Sequence, residues 1–165
     1  QRYLASHAPV TPVVATANIR PNEETDAQRI ALTMASGAPL KAETLLASTW
    51  FGLRQDWLQS WRQLVARRIS PISVSQQWQS QLPLAEGLTL LHWLLQDLLA
   101  CHLALPMIQT DLPALPRFSQ AYRVEALTGL QQTLLKMQQT QAQNVQGGLV
   151  YDSLVHTLAS QSVMA

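Results

Sequence analysis

Apolar residues recur along this chain at spacings of three and four, and no stretch alternates strictly between apolar and polar positions as a half-buried strand would. An all-α fold follows from that pattern. Pro9, Pro12 and Pro21 interrupt residues 1–21, which read as a linker or irregular lead-in. Asn22 or Thr25 can cap a helix whose first turn holds Glu23, Glu24 and Asp26. Ile30, Ala31 and Met34 form its apolar side, and Gly37 ends it. Pro39 suits a first helical position, opening a helix to about Trp50 with Leu40, Leu45 and Leu46 turned inward.

The pattern then strengthens. Trp57, Trp61, Leu64 and Val65 share one face of a helix from Leu53 to Arg68, which Pro71 stops. Ser73 or Ser75 begins a short helix bearing Trp78 and Leu82, closed by Pro83. Glu86 to Leu105 is the central helix. Leu91, Leu94, Leu95, Leu98 and Leu99 are too many for one stripe, so other helices must surround it. Prolines stiffen the loop over 106–116. A long helix over 117–142 sets Leu127, Leu130, Leu134 and Met137 against the core, with glutamines opposite. Residues 144–148 make a turn, and Leu149 to Ser160 turns Val150, Leu154, Val155 and Leu158 inward. The change of style near residues 45–50 divides the chain in two: a linker and small helical subdomain over 1–47, and a bundle of about five helices over 48–165.

Composition narrows the function. Apolar residues make up 47% of the 165, enough to bury a core and to exclude wholesale disorder. Charged residues are only 13%, about half the usual share, and 20 glutamines supply polarity in their place. The net charge of +1 shows no basic excess or stripe along the chain, which argues against direct DNA binding as the main role. The single cysteine, Cys101, cannot form an internal disulfide and sits among Leu99, Ala100 and Leu103, as suits a reducing cytoplasmic setting. No signal peptide is visible, and the start at Gln1 reads as a cut from a longer protein. Leu88–Ile108 is nearly long enough to span a bilayer, but it carries His92, Gln96, Asp97 and His102. An aspartate near mid-span costs roughly 2.5–3.5 kcal/mol there, so a buried soluble helix is the better reading.

Motifs for catalysis are missing. There is no G-x-x-x-x-G-K-[ST] phosphate loop, no CxxC or HExxH, and no G-x-S-x-G elbow. The histidines His7, His92, His102 and His156 have no metal-ligand spacing; His92 and His102 each lie five residues from Asp97 and do not share its face well. No cofactor or metal site is expected. Trp50, Trp57, Trp61, Trp78 and Trp93 could stack on bases, and Arg54, Arg62, Arg67 and Arg68 lie near two of them, but tryptophan at helical spacing on an apolar face is ordinary core.

Three segments carry a resemblance. They are Gln1-Arg2-Tyr3-Leu4-Ala5, then Ala35-Ser36-Gly37-Ala38-Pro39-Leu40-Lys41-Ala42, then Leu91-His92-Trp93-Leu94-Leu95-Gln96-Asp97-Leu98-Leu99. Asn144-Val145, Leu149 and Leu154-Val155 follow the third at a suitable distance. In order and interval they resemble the C-terminal half of delta-prime subunits of the bacterial DNA polymerase III clamp loader. The first is similar to the strand end after the ATPase-like domain, the second to the lid, and the third, with Trp and Asp four apart, to the central collar helix. Gln146 and Asp152 stand where the family pattern has Asn and Glu.

The resemblance implies an all-α lid subdomain followed by a collar, in a non-catalytic subunit of the polymerase holoenzyme. Leu40 occupies the position of the phosphate-sensing arginine of ATP-hydrolysing relatives, with Lys41 beside it, so no nucleotide is expected to bind here. The implied partners are the delta and gamma/tau subunits in a hetero-pentamer, with the sliding clamp and DNA reached only through the full complex, in the cytoplasm and without a membrane. A stable subunit contact buries roughly 1,200–2,000 Å² and relies on a few aromatic or arginine anchors. Arg54, Arg67, Arg68 and Tyr122 are the candidates. Two alternatives stay open: the C-terminal region of a gamma/tau-type motor subunit, and a ligand-binding or regulatory bundle built on Asp97 with His92 or His102. An enzyme in its own right is the weakest option.

Overall fold

Every regular element among the described residues is helical. The computed structural model describes residues 21–140 and 146–163. Residues 1–20 of the expected linker, with the Gln1–Ala5 segment and His7, and the Asn144-Val145 pair therefore lie outside the described residues. The helices are α1 (Pro21–Met34), α2 (Pro39–Ala47), α3 (Thr49–Gly52), α4 (Arg54–Val65), α5 (Pro71–Gln81), α6 (Leu84–His102), α7 (Leu115–Phe118), a 3-10 turn (Ser119–Ala121), α8 (Val124–Thr140) and α9 (Gly147–Ser160). The bundle forms as α5 packs along α9 and α6 along α8, with α4 across α5 and α9, while α1 and α2 pair beside it. No helix among the described residues is long and apolar enough to cross a membrane.

The apolar faces read from spacing are the buried ones along α1, α4, α6, α8 and α9. Ile30, Trp57, Trp61, Leu64, Leu91, Leu94, Leu98, Leu127, Leu130, Leu154 and Leu158 are all buried. On α2 the expectation holds for Leu45, which is half-buried against the core, and fails for the other two leucines. Leu40 is 78% exposed and Leu46 is exposed too, while Ala42 is the residue α2 buries. Boundaries also moved. α1 already starts at Pro21, so Asn22 and Thr25 lie inside it, and the helix expected to run to Trp50 breaks at Ser48. Pro71 does not stop α4, which ends at Val65. Pro71 instead opens α5, with the Ser70 hydroxyl accepting from the Ser73 N–H at 3.2 Å. The helix expected from Arg117 begins at Val124; residues 115–121 form separate short turns before it.

Aromatic rings fill the centre. Trp57 and Trp78 stack with centroids 4.4 Å apart, and Tyr151 meets Trp57 edge-on at 6.2 Å. Trp61 packs edge-to-face on Phe118 at 5.2 Å and donates its indole N–H to the Tyr122 hydroxyl at 2.8 Å. The Tyr122 hydroxyl in turn donates to the Leu158 carbonyl, and that of Tyr151 to the carbonyls of Leu82 or Pro83. These bonds let bulky phenols sit in the core without orphaned polar atoms.

That burial carries an alkaline liability. Desolvation pushes both phenols above the ordinary tyrosine range, opposed at Tyr122 by the Trp61 hydrogen bond and reinforced at Tyr151 by the Glu86 carboxylate. A phenol raised in the folded state stays protonated while the unfolded chain ionises. Its contribution to stability is thus complete below about pH 10 and is lost as pH climbs toward the folded value. Above about pH 10, denaturant titrations are expected to show stability falling by up to about 1.4 kcal/mol per pH unit per tyrosine. Tyr122→Phe, although less stable at neutral pH, should show a shallower fall. An unchanged slope in that variant would mean Tyr122 is not the titrating group.

Candidate functional site

Of the four expected docking residues, the fold leaves two available. Arg54 opens α4 but is only 4% exposed. Its guanidinium meets the Asp111 carboxylate through two hydrogen bonds, at 3.1 and 2.7 Å, and its Nε donates to the Phe51 carbonyl at 2.9 Å. Its Cζ lies 3.9 Å from the centroid of the Phe51 ring. Tyr122 is 1% exposed, and its hydroxyl both accepts from Trp61 and donates to Leu158 as described. Both expectations are corrected: these side chains hold the bundle together internally, and neither presents a surface to a partner. Leu40 and Lys41 are exposed at the start of α2, beside an apolar depression of about 410 Å³ that also touches Met34 and Leu45.

Asp97 has a similar inward role. It is 1% exposed, and its two oxygens accept from the backbone N–H groups of Ile108 and Gln109, each at 2.8 Å, and from the Gln109 side-chain amide at 2.9 Å. Gln109 also donates to the Trp93 carbonyl and approaches Arg54. One network thus joins α6, α4 and the proline-rich loop. Asp97 bonds to no histidine: His102 sets Nδ1 3.2 Å from the Ser119 carbonyl, His92 packs edge-on beside Trp93, and His156 is exposed. The polar constellation on which a bundle-pocket reading depended is therefore occupied by structural bonds. Cys101 is half-buried, with its sulfur 3.6 Å from that of Met107. Desolvation first, and the Asp97 charge second, push its thiol up, which weakens it as a nucleophile. No group of three His, Cys, Asp or Glu among the described residues could hold a metal ion.

Arg67 and Arg68 are exposed in the turn between α4 and α5. The turn closes α4 as the Arg68 N–H reaches back to the Gln63 carbonyl at 2.9 Å, with Arg67 in the left-handed region at φ 59°. Glycine is the favoured residue there. A β-carbon in that region costs roughly 1–2 kcal/mol, so arginine is held at this place against local preference.

Arg68 borders two depressions at once. One, of about 510 Å³, lies between this turn and α9 and also reaches Arg67 and His156. The other, of about 570 Å³, runs past Arg62 and Arg117. A third, of about 550 Å³, carries Arg123 and Glu125. Ser162 and Val163 lie between them, fixed by a 2.8 Å bond from the Val163 N–H to the Ala121 carbonyl. The three adjoin one another, sharing Val65, Arg68, Ser162 and Val163, and make a basin lined by five arginines in which Glu125 is the one carboxylate; Asp152 lines the next depression, beyond Pro71 and His156. The ion pairs among the described residues are Arg29–Asp26 and Arg54–Asp111, and none of the five takes part in one. Sequence reading picked out Arg67 and Arg68, left Arg62 among possible base-stacking neighbours, and missed Arg117 and Arg123. They join the others only through tertiary packing.

Searches against models of known families, curated proteins and solved structures find no match to this chain.

Proposed function

We propose that this chain is the lid-and-collar half of a clamp-loader subunit of the delta-prime type, a non-catalytic cytoplasmic module that assembles with delta and gamma/tau subunits so that a sliding clamp can be loaded onto DNA. The observation that carries the reading is α6. The segment with the most specific resemblance, Leu91–Leu99, is the buried helix against which much of the bundle packs, and its aspartate pins the loop that follows. A rigid bundle with few surface charges suits a static reference around which motor subunits move. Leu40, exposed where ATP-hydrolysing relatives have a phosphate-touching arginine, fits a subunit that does not turn over nucleotide.

The test is light scattering coupled to size exclusion, with the chain alone and mixed with partner gamma and delta subunits at tens of micromolar, roughly where contacts of −6 kcal/mol register. A stoichiometric complex is expected, and Arg67→Glu with Arg68→Glu is expected to abolish it. Survival of the complex in that variant would move the docking face elsewhere. Absence of any complex with the unaltered chain would remove the assembly reading.

A further inference from the structure

We propose that the arginine-rimmed basin around Ser162 and Val163 is a docking groove for an acidic, leucine-bearing peptide segment of a partner protein. The inference deepens the assembly reading and rests on it for the occupant being a protein. What it adds is the chemistry of the contact.

Charge comes first. Arg62, Arg67, Arg68, Arg117 and Arg123 line three adjoining depressions in which Glu125 is the one carboxylate, with Asp152 in the next, in a chain whose net charge is only +1. Elsewhere among the described residues, arginine finds a carboxylate: Arg29 has Asp26, and Arg54 has Asp111. Helix dipoles account for part of the gathering, since Arg62 lies in the last turn of α4 and a cation there gains about 0.3–1 kcal/mol. They do not account for five. An unpaired guanidinium fork at the surface is a ready receptor for carboxylates.

The floor decides between anions. Leu64, Val65, Ile69, Pro71 and Ala159 line the depression beside Arg67 and Arg68, so it offers apolar contact beneath a charged rim. A segment bearing both Glu or Asp and Leu would use both. A nucleic-acid strand would use the rim but not the floor. Bases would seek exposed aromatic faces, and Trp57, Trp61, Trp78, Phe118 and Tyr122 are all buried. A phosphate backbone could still be drawn to the charge, so duplex DNA belongs among the probes.

The experiment uses fluorescence anisotropy on the intact chain with three labelled probes: a peptide of about 12 residues rich in Glu and Leu, the same peptide with Ser for Leu, and a DNA duplex of about 20 base pairs. The Glu/Leu peptide is expected to bind saturably, and about tenfold or more tighter than the Glu/Ser peptide. Arg67→Glu with Arg68→Glu, and separately Arg117→Glu with Arg123→Glu, should each weaken it about tenfold or more, whereas Lys41→Glu with Lys136→Glu, away from the basin, should not. Thermal unfolding checks that each variant is folded. Three results would overturn the proposal: no saturable peptide binding up to about 1 mM, equal binding of the two peptides, or tighter binding of the duplex than of the Glu/Leu peptide. Subunit assembly without peptide binding sinks the groove and leaves the assembly reading standing. Peptide binding without subunit assembly does the reverse.

Discussion

Asp97→Ala is expected to lower folding stability by about 3–5 kcal/mol, with the loop between α6 and α7 loosening first. The wild-type carboxylate satisfies the backbone N–H groups of Ile108 and Gln109 and the side-chain amide of Gln109. Gln109 is fully buried, so its N–H gains little from water once its acceptor is gone. Each buried donor left without an acceptor costs about 1–3 kcal/mol, and two or three are created together. Gln109 also approaches Arg54, whose other partner, Asp111, lies on the same loop, so disorder there threatens a nearly buried guanidinium as well. Denaturant unfolding measures the total, and hydrogen exchange at the Ile108 and Gln109 amides localises it. Asp97→Asn keeps the size and one acceptor oxygen, so its loss should be intermediate. A loss below about 1 kcal/mol with both amides still protected would mean that something else holds the loop.

The contrast between Asp97 and the tryptophans marks what was legible in the sequence. Trp57, Trp61, Leu64 and Val65 fall on one helical face by spacing alone, and all four are buried. Arg54 lies on that same face, three residues before Trp57, and periodicity would have placed it inside. Its neutralising partner, Asp111, lies 57 residues on and cannot be found by spacing, so the sequence alone points to a surface anchor. α2 misleads for a different reason: leucines occur around much of a nine-residue helix, and the residue it buries most deeply is a small one, Ala42. Pro71 is ambiguous by nature, since proline both ends one helix and begins the next, and Ser70 capping α5 resolves it. The short turns over 115–121 hid because Tyr122 leaves helical geometry, its hydroxyl tied to Leu158 of α9. The arginine basin is the least legible, being assembled from α4, the turn after it, α7 and the residue before α8 by packing that no local pattern records.

Gly87 gives the clearest separation of packing from helix propensity. It lies near the start of α6 with the Tyr151 hydroxyl against it, and a β-carbon added there would overlap that oxygen. The same β-carbon would stand 2.9 Å from Tyr151 Cζ and 3.0 Å from Trp57 Cη2, both atoms of rigid rings. Trp57 cannot simply yield, because Trp78 is stacked on its other side, and Tyr151 is tied to the carbonyls of Leu82 and Pro83. Alanine improves helix propensity by about 1 kcal/mol, but forcing apart a filled core costs about 1–3 kcal/mol or more. With three buried aromatic rings obliged to shift, Gly87→Ala is expected to lose about 2 kcal/mol or more overall, and Gly87→Val more still. Gly129 supplies the control: it is exposed on α8, and an added β-carbon there meets nothing within 4 Å. Gly129→Ala should therefore gain up to about 1 kcal/mol, giving the same substitution opposite signs at the two sites. Adding Tyr151→Phe to Gly87→Ala removes the overlapping oxygen. It should recover part of the loss, and a double-mutant cycle reads the coupling directly. If Gly87→Ala were as stabilising as Gly129→Ala, α6 could not approach Tyr151 and Trp57 as closely as described, and the junction of α4, α5, α6 and α9 would need a different packing.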